Sequence, residues 1–240
     1  MRYIMSDIHG CYEEYCTLLD NLGFDDEDEL YVLGDAMDRG PESIQVMQDL
    51  MCRPNVYYIL GNHDLMFLET VKHLGVEMTQ ESMEAWTEEA RECYQIWINN
   101  GGQSTVEQFL ALPPEQRQEM VEYVKEAALY ETLEWEGCLY VLVHAGIGHF
   151  SPHKELDEYE ITDFVWERTD YSKQYFPSQR IRLVTGHTPT PFIRADQKPR
   201  VYEGNGHIAV DCGCVFGGRL AAYCLETGKT AYVKSQRTHS

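Results

Sequence analysis

The 240-residue chain is poor in positive charge, with 19 Lys and Arg against 40 Asp and Glu and a formal net charge of −21. A surface this acidic repels phosphate backbones and anionic headgroups, which excludes nucleic-acid polymers and membrane surfaces as expected partners. Long apolar runs are missing as well. None approaches the ~18 residues of a spanning helix, and no basic stretch followed by an apolar core opens the chain, so the expected compartment is the cytoplasm. Cysteine is sparse, eight residues scattered from Cys11 to Cys224, far below the density of a disulfide scaffold. The spacing in Cys212-Gly213-Cys214 is too tight for a zinc pair, and Cys11 reads as a small packing residue. With 43% hydrophobic and 25% charged residues, the composition is that of an ordinary globular protein. No internal repeat and no linker divides it, so residues 1–240 read as a single domain.

Short β-branched or aromatic runs recur early, at Arg2–Met5, Leu30–Leu33 and Val56–Leu60. Helical patterns separate them, first with Tyr12, Tyr15, Cys16, Leu19 and Leu22 on one face, then with Ile44, Met47 and Leu50. This alternation predicts βαβ units and a largely parallel sheet, with ligands gathered at the carboxyl ends of its strands. From about 75 to 136 the pattern turns helical, with breaks at Asn99–Gly102 and Pro113-Pro114. Residues 76–136 hold 14 Glu, no Asp and three basic residues. Such a run reads as the solvated faces of amphipathic helices. Strand character returns at Cys138–Val143, Ile181–Val184, Ile208–Val210 and Leu220–Leu225.

Five signatures follow predicted strands directly: Ser6-Asp7-Ile8-His9-Gly10, Gly34-Asp35-Ala36-Met37-Asp38-Arg39-Gly40, Gly61-Asn62-His63-Asp64, His144-Ala145-Gly146 and Gly186-His187-Thr188. Asp7, Asp35 and Asn62 lie one βαβ repeat apart, so consecutive strands deliver them to a common edge. Carboxylates, imidazoles and an amide meeting there form a mixed oxygen and nitrogen donor set. Such a set suits Mn, Fe or Zn rather than Ca or a thiolate-bound metal. Any one signature alone reads as a capped turn or a core histidine. Their joint occurrence in order points to a metal site.

These motifs resemble those of the calcineurin-like metallophosphoesterases, in the phosphoprotein phosphatase branch and its short bacterial and bacteriophage form. The resemblance extends to Trp97-Ile98-Asn99-Asn100-Gly101-Gly102 with Thr105, and to Asp211–Leu220. It implies an α/β (α+β) fold, a four-layer sandwich of two mixed β-sheets flanked by helices. It also implies two divalent metal ions, Mn²⁺ first with Fe or Zn possible. Asp7, His9 and Asp35 would hold one metal, and Asp35 would bridge to a second held by Asn62, His144 and His187. Such a centre generates hydroxide at neutral pH for direct in-line attack on phosphorus. His63 would then be the acid that protonates the leaving oxygen, oriented by Asp38. Arg39, Arg168 and Asn62 would bind the substrate phosphate. Metals and arginines together leave a local charge of about +2 inside a negative molecule.

A Cys-x5-Arg loop is missing, so a cysteine nucleophile has no signature here. Two substrate classes of the same branch remain. Asp38-Arg39-Gly40 resembles the ending found in serine/threonine protein phosphatases and favours a phosphorylated protein or peptide. Asp64 resembles bis(5'-nucleosyl)-tetraphosphatases, acting on dinucleoside polyphosphates such as diadenosine tetraphosphate. A related group cleaves dinucleotides asymmetrically while keeping residues like Asp38. A non-catalytic phosphate-binding module is the third reading, weakened by the presence of every expected ligand.

Overall fold

A computed structural model describes residues 1–74 and 86–237. Residues 75–85 of the expected acidic helical segment lie outside the described residues. The strands form two five-stranded mixed sheets. The first has the order β10-β9-β1-β2-β3, built from β1 (Arg2–Met5), β2 (Glu29–Val32), β3 (Val56–Tyr58), β9 (Arg219–Cys224) and β10 (Thr230–Lys234). The second has the order β4-β5-β6-β8-β7, built from β4 (Tyr130–Trp135), β5 (Cys138–Val143), β6 (Ile181–Thr185), β7 (Tyr202–Gly204) and β8 (His207–Ala209). Within them β1, β2 and β3 run parallel, as do β5, β6 and β8. β9 and β10 in the first sheet and β4 and β7 in the second pair antiparallel with their neighbours.

Side-chain alternation shows how the layers stack. Ile4, Tyr31, Leu142, Val184, Ile208 and Tyr223 share one buried cluster between the sheets. Their neighbours Tyr3, Met5, Leu30, Val32, Val141, Val143 and Leu183 point the other way, into a second cluster with helical residues. Both faces of each central parallel strand are thus covered, which is why these strands read as unbroken apolar runs. Past β3 the sheets touch through a parallel bridge between Ile59 and Ala128.

Helices α1 (Tyr12–Leu22) and α2 (Ser43–Cys52) cross between the first parallel strands. Then come α3 (Asn62–Leu74), α4 (Glu88–Trp97), α5 (Gln103–Ala111), α6 (Pro114–Lys125) and the short α7 (Ile161–Val165). The breaks at Asn99–Gly102 and Pro113-Pro114 fall where expected, between α4, α5 and α6. The helical pattern does not extend to 136, however, because Tyr130–Trp135 is strand β4. Its alternation is hidden by a glutamate on each face, half-buried Glu131 on the side of Leu133 and exposed Glu134 on the other, with Leu133 its one buried residue. Strands β7 and β10 were also not legible, being short or half-buried edge strands.

Trp97 ends α4 fully buried, its ring 5.6 Å from that of Phe67, which meets Phe109 edge-on at 5.2 Å. Trp97→Ala should cost about 3–5 kcal/mol in urea unfolding, as a large cavity in a packed core does. Trp97→Phe keeps most of the contact area and should cost less than half as much. No helix among the described residues is long and apolar enough to cross a membrane.

Candidate metal centre

All five signatures emerge from the carboxyl ends of parallel strands and meet at one edge shared by the two sheets. Hydrogen bonds from Asp7 N to Gly34 O (3.1 Å), His9 N to Asp35 O (3.0 Å) and Gly186 N to His144 O (2.7 Å) tie the loops together. Six site residues hold left-handed backbone, with φ of 52° at Asp7, 47° at His9, 55° at Asp35, 72° at Asp38, 66° at Arg39 and 61° at His187. Such conformations cost about 1–3 kcal/mol each in a non-glycine residue and persist only where surrounding structure enforces them. Gly61 is required for a different reason. A Cβ there would sit 2.2 Å from Asp35 Oδ1.

The donor atoms converge on Asp35. Its Oδ2 lies 3.7 Å from His9 Nε2 and 3.4 Å from His144 Nε2, and its Oδ1 accepts from His63 N at 3.0 Å. His9 Nδ1 contacts Met37 O at 2.7 Å and His144 Nδ1 contacts Leu33 O at 2.6 Å. A carbonyl only accepts, so both Nδ1 atoms carry the proton and both Nε2 lone pairs face the cluster. Asn62 Oδ1 stands 3.0 Å from His144 Nε2 and 2.9 Å from His187 Nδ1. Asp7 accepts from His187 N through Oδ2 at 2.8 Å, while its Oδ1 lies 3.9 Å from His9 Nε2. Lone pairs aimed at one another repel, and the same set is favourable around cations.

Electrostatics agree with that fit. Asp7, His9, Asp35, Asn62 and His144 are all buried. Burial, then the neighbouring Asp7 carboxylate, pushes the Asp35 carboxyl well above its ordinary range. Divalent charge is what reverses both penalties. Burial followed by the positive fields of His144 and Arg168 brings His187 down to about 2, leaving a neutral imidazole able to ligate. Donor atoms of His9, Asp35 and His63 lie within 4.8 Å of one another, and so do those of Asp35, His144 and His187. Asp35 is common to both groups, and Asp7 belongs to neither.

Beside the cluster stands a second arrangement. His63 Nδ1 meets Asp38 Oδ2 at 2.6 Å, and its Nε2 is buried without a hydrogen-bond partner among the described residues. The remaining capacity of Asp38 is filled by Trp97 Nε1–H at 2.8 Å and Thr105 Oγ1–H at 2.6 Å. Burial still raises the Asp38 carboxyl to about 7, against the pull of those two donors. The pair therefore holds His63 in one orientation with Nε2 facing the centre. Trp97 and Thr105 lie 59 and 67 residues from Asp38 in the chain, and nothing in the local sequence marks either as its donor.

Arg39 reaches the edge of the cluster, with Nη1 2.6 Å from His9 Nε2. Its backbone N–H donates to Gly101 O at 2.9 Å, and a Cβ on Gly101 would come within 2.7 Å of Arg39 Cγ. Gly101 also has φ 104°, so the Asn-Asn-Gly-Gly break is where α4 yields to let Arg39 in. Arg168 is exposed and makes no hydrogen bond or ion pair among the described residues. It lies close enough for its charge to disfavour protonated His187. Two further buried carboxylates support the loops. Asp64 accepts from Gly61 N (2.8 Å), Asp35 N (3.1 Å) and Tyr58 Oη (2.8 Å), while Asp211 accepts from Gly213 N (2.7 Å).

Comparison with known proteins adds a family match. The profile of the calcineurin-like phosphoesterases matches residues 3–233. A bis(5'-nucleosyl)-tetraphosphatase PrpE [asymmetrical] from Geobacillus sp. (strain WCH70) is 30% identical over 260 residues, covering 97% of this chain and 93% of that protein. Its namesake from Geobacillus thermodenitrificans is 30% identical over 265 residues, covering 98% and 95%. A crystal structure assigned provisionally as a diadenosine tetraphosphatase superposes with TM-score 0.67 at 22% identity, covering 99% and 94%. A serine/threonine phosphatase from Saccharomyces cerevisiae gives TM-score 0.58 at 12% identity, covering 100% and 80%. At these identities the two structures speak for the fold alone.

Proposed function

The chain belongs to the calcineurin-like phosphoesterases, metal-dependent hydrolases of phosphoesters, and on that premise we propose that it cleaves dinucleoside polyphosphates asymmetrically. What carries this reading is the nearly end-to-end likeness to asymmetrical tetraphosphatases. It reverses the order of the two substrate classes suggested by the Asp38-Arg39-Gly40 motif. Asp38 does not separate them, because asymmetric hydrolases keep such a residue too.

In this reading Asp7, His9 and Asp35 hold one divalent cation, and Asp35, Asn62, His144 and His187 the other. Manganese is the expected ion, with iron or zinc suited to the same donors. Two bound cations supply an acidified water and positive charge for the phosphoryl oxygens. Arg39 grips those oxygens through its planar fork, and Arg168 adds a second cationic contact from the rim. His63 carries a proton on Nε2 and hands it to the oxygen of the breaking P–O bond. Asp38 accepts from Nδ1–H, which fixes the ring and favours the charged imidazolium, the form in which Nε2 also carries a proton. Water adds to phosphorus as the polyphosphate leaves, giving a nucleoside monophosphate and a nucleoside triphosphate.

The test is kcat/KM with Mn²⁺ for diadenosine tetraphosphate against a phosphothreonine peptide, with the nucleotide products resolved. We expect the dinucleotide to be favoured by about tenfold or more, equivalent to about 1.4 kcal/mol of transition-state stabilisation. AMP and ATP should appear together. A peptide advantage of that size returns the protein to the phosphoprotein phosphatases, and two ADP would mean symmetric cleavage. No turnover of either with both metals bound would leave only a phosphate-binding module.

A further inference from the structure

Phe192 is 83% exposed and Phe216 52% exposed. Both line one cleft of about 270 Å³, with Pro189, Pro191 and Pro199 forming much of the remainder. No charged side chain lines it, although the molecule carries a net −21. Gln197 supplies its only side-chain amide. Ligand clefts more often run to about 300–1,000 Å³, so this one suits a single small ring system.

The loops that line the cleft also carry residues of the metal centre. Pro189 lies two residues past His187, and Cys212 directly follows Asp211. The two loops are clasped by Thr190 N donating to Asp211 O at 2.8 Å. The Arg39 guanidinium lies over the Phe216 ring, 5.3 Å from its centroid. One side chain thus touches both the donor cluster, through His9, and an aromatic wall of the cleft.

From this we infer that the Phe192–Phe216 cleft is a nucleobase subsite, stacking the base of the nucleotide whose phosphate Arg39 holds. The inference rests on the dinucleotide reading of the centre and assigns its substrate recognition. A flat, uncharged heteroaromatic ring matches a lining of aromatic and proline faces, since every base has a face that stacks on an aromatic side chain. A ring held there would sit beside the Arg39 guanidinium, which lies over Phe216, and so is expected to be tethered to a phosphate. A nucleoside phosphate joins those two features. Recognition by stacking predicts little discrimination between adenine and guanine.

The experiment uses the Mn²⁺-loaded enzyme, with AMP and ribose 5-phosphate as competing inhibitors of p-nitrophenyl phosphate hydrolysis. Both carry the same phosphate and sugar, so the ratio of their inhibition constants isolates the base and cancels any change in the phosphate grip of Arg39. In the wild type AMP should bind about tenfold or more tighter, as one stacked base implies. Phe192→Ala and Phe216→Ala should each shrink that ratio at least about threefold, and the double variant should bring it near one. Phe192→Leu, which keeps apolar bulk without a flat face, should resemble Phe192→Ala. A wild-type ratio near one, or a ratio that survives the double variant, overturns the subsite. Neither result depends on whether diadenosine tetraphosphate is turned over, so the substrate assignment stands or falls separately.

Discussion

Replacing His63 with asparagine should lower kcat on a phosphoserine or other alkyl phosphate by about 10²–10⁴, the range for loss of a positioned general acid. Two metal ions should remain bound. The side chain lies close enough to His9 and Asp35 to be taken for a ligand, so metal content is the deciding control. What argues for an acid is the pairing: Nδ1 is held by Asp38 at 2.6 Å, while Nε2 is buried with no hydrogen-bond partner among the described residues. Proton donation matters in proportion to the basicity of the leaving oxygen. An alkoxide cannot leave unprotonated at neutral pH, whereas p-nitrophenolate or the terminal oxygen of a nucleotide polyphosphate can. The same variant should therefore lose only about tenfold or less on p-nitrophenyl phosphate and diadenosine tetraphosphate. An equal loss on all three substrates, or a fall in bound metal that tracks activity, would falsify the assignment.

That gradient bears on how the two substrate readings coexist on one centre. The Asp38–His63 pair, with Trp97 and Thr105 completing the coordination of Asp38, is most useful for an alkyl ester. In an anhydride hydrolase it contributes less to leaving-group departure. An enzyme of the second kind that keeps the pair should retain measurable activity on phosphopeptides. Discrimination then falls to what surrounds the phosphate, and the uncharged cleft beside Arg39 is a feature that rewards a nucleotide over a peptide.

Much of this was legible in the sequence because the fold and the site share a cause. Parallel strands covered on both faces must be apolar throughout, so β1, β2, β5 and β6 stood out. The residues that follow such strands are forced to one edge, so Asp7, Asp35, Asn62, His144 and His187 could be grouped by position alone. Edge strands have no such signature. In β4, Glu131 and Glu134 sit in an acidic run whose helical part ends at Lys125, and the strand beyond it carries the same composition. Residues that act across the fold were equally hidden. Trp97 reads as core because it is core, and only the packing of α4 against α3 turns its indole N–H toward Asp38. Phe192 and Phe216 are single apolar residues in loops, which usually need no explanation, until two loops bring them to one cleft.

The largest effect on the metals themselves is expected at Asp35, and an isosteric change separates its charge from its packing. Asp35→Asn keeps an oxygen able to accept from His63 N, so the loop that places Asn62 and His63 has no reason to rearrange. A neutral amide, however, cannot bridge two dications, and elemental analysis should find at least one equivalent of metal gone, with activity at background. The stability of the protein should move in two directions. In the metal-free wild type the Asp35 carboxyl is raised by burial and by Asp7. A carboxyl raised in the folded state binds its proton more tightly there than in the unfolded chain. Its contribution to stability is therefore present at low pH and is lost as pH rises from the unfolded value of about 4 through the folded one. Asparagine removes that loss, and chelator-treated Asp35→Asn should melt no lower than chelator-treated wild type at pH 8. Added Mn²⁺ should raise the melting temperature of the wild type, since a ligand at about 100 times its Kd adds about 2.7 kcal/mol. The variant should lose at least half of that shift. Full occupancy in Asp35→Asn, or an undiminished Mn²⁺ shift, would remove Asp35 from the bridge and leave the two metals held by separate ligand sets.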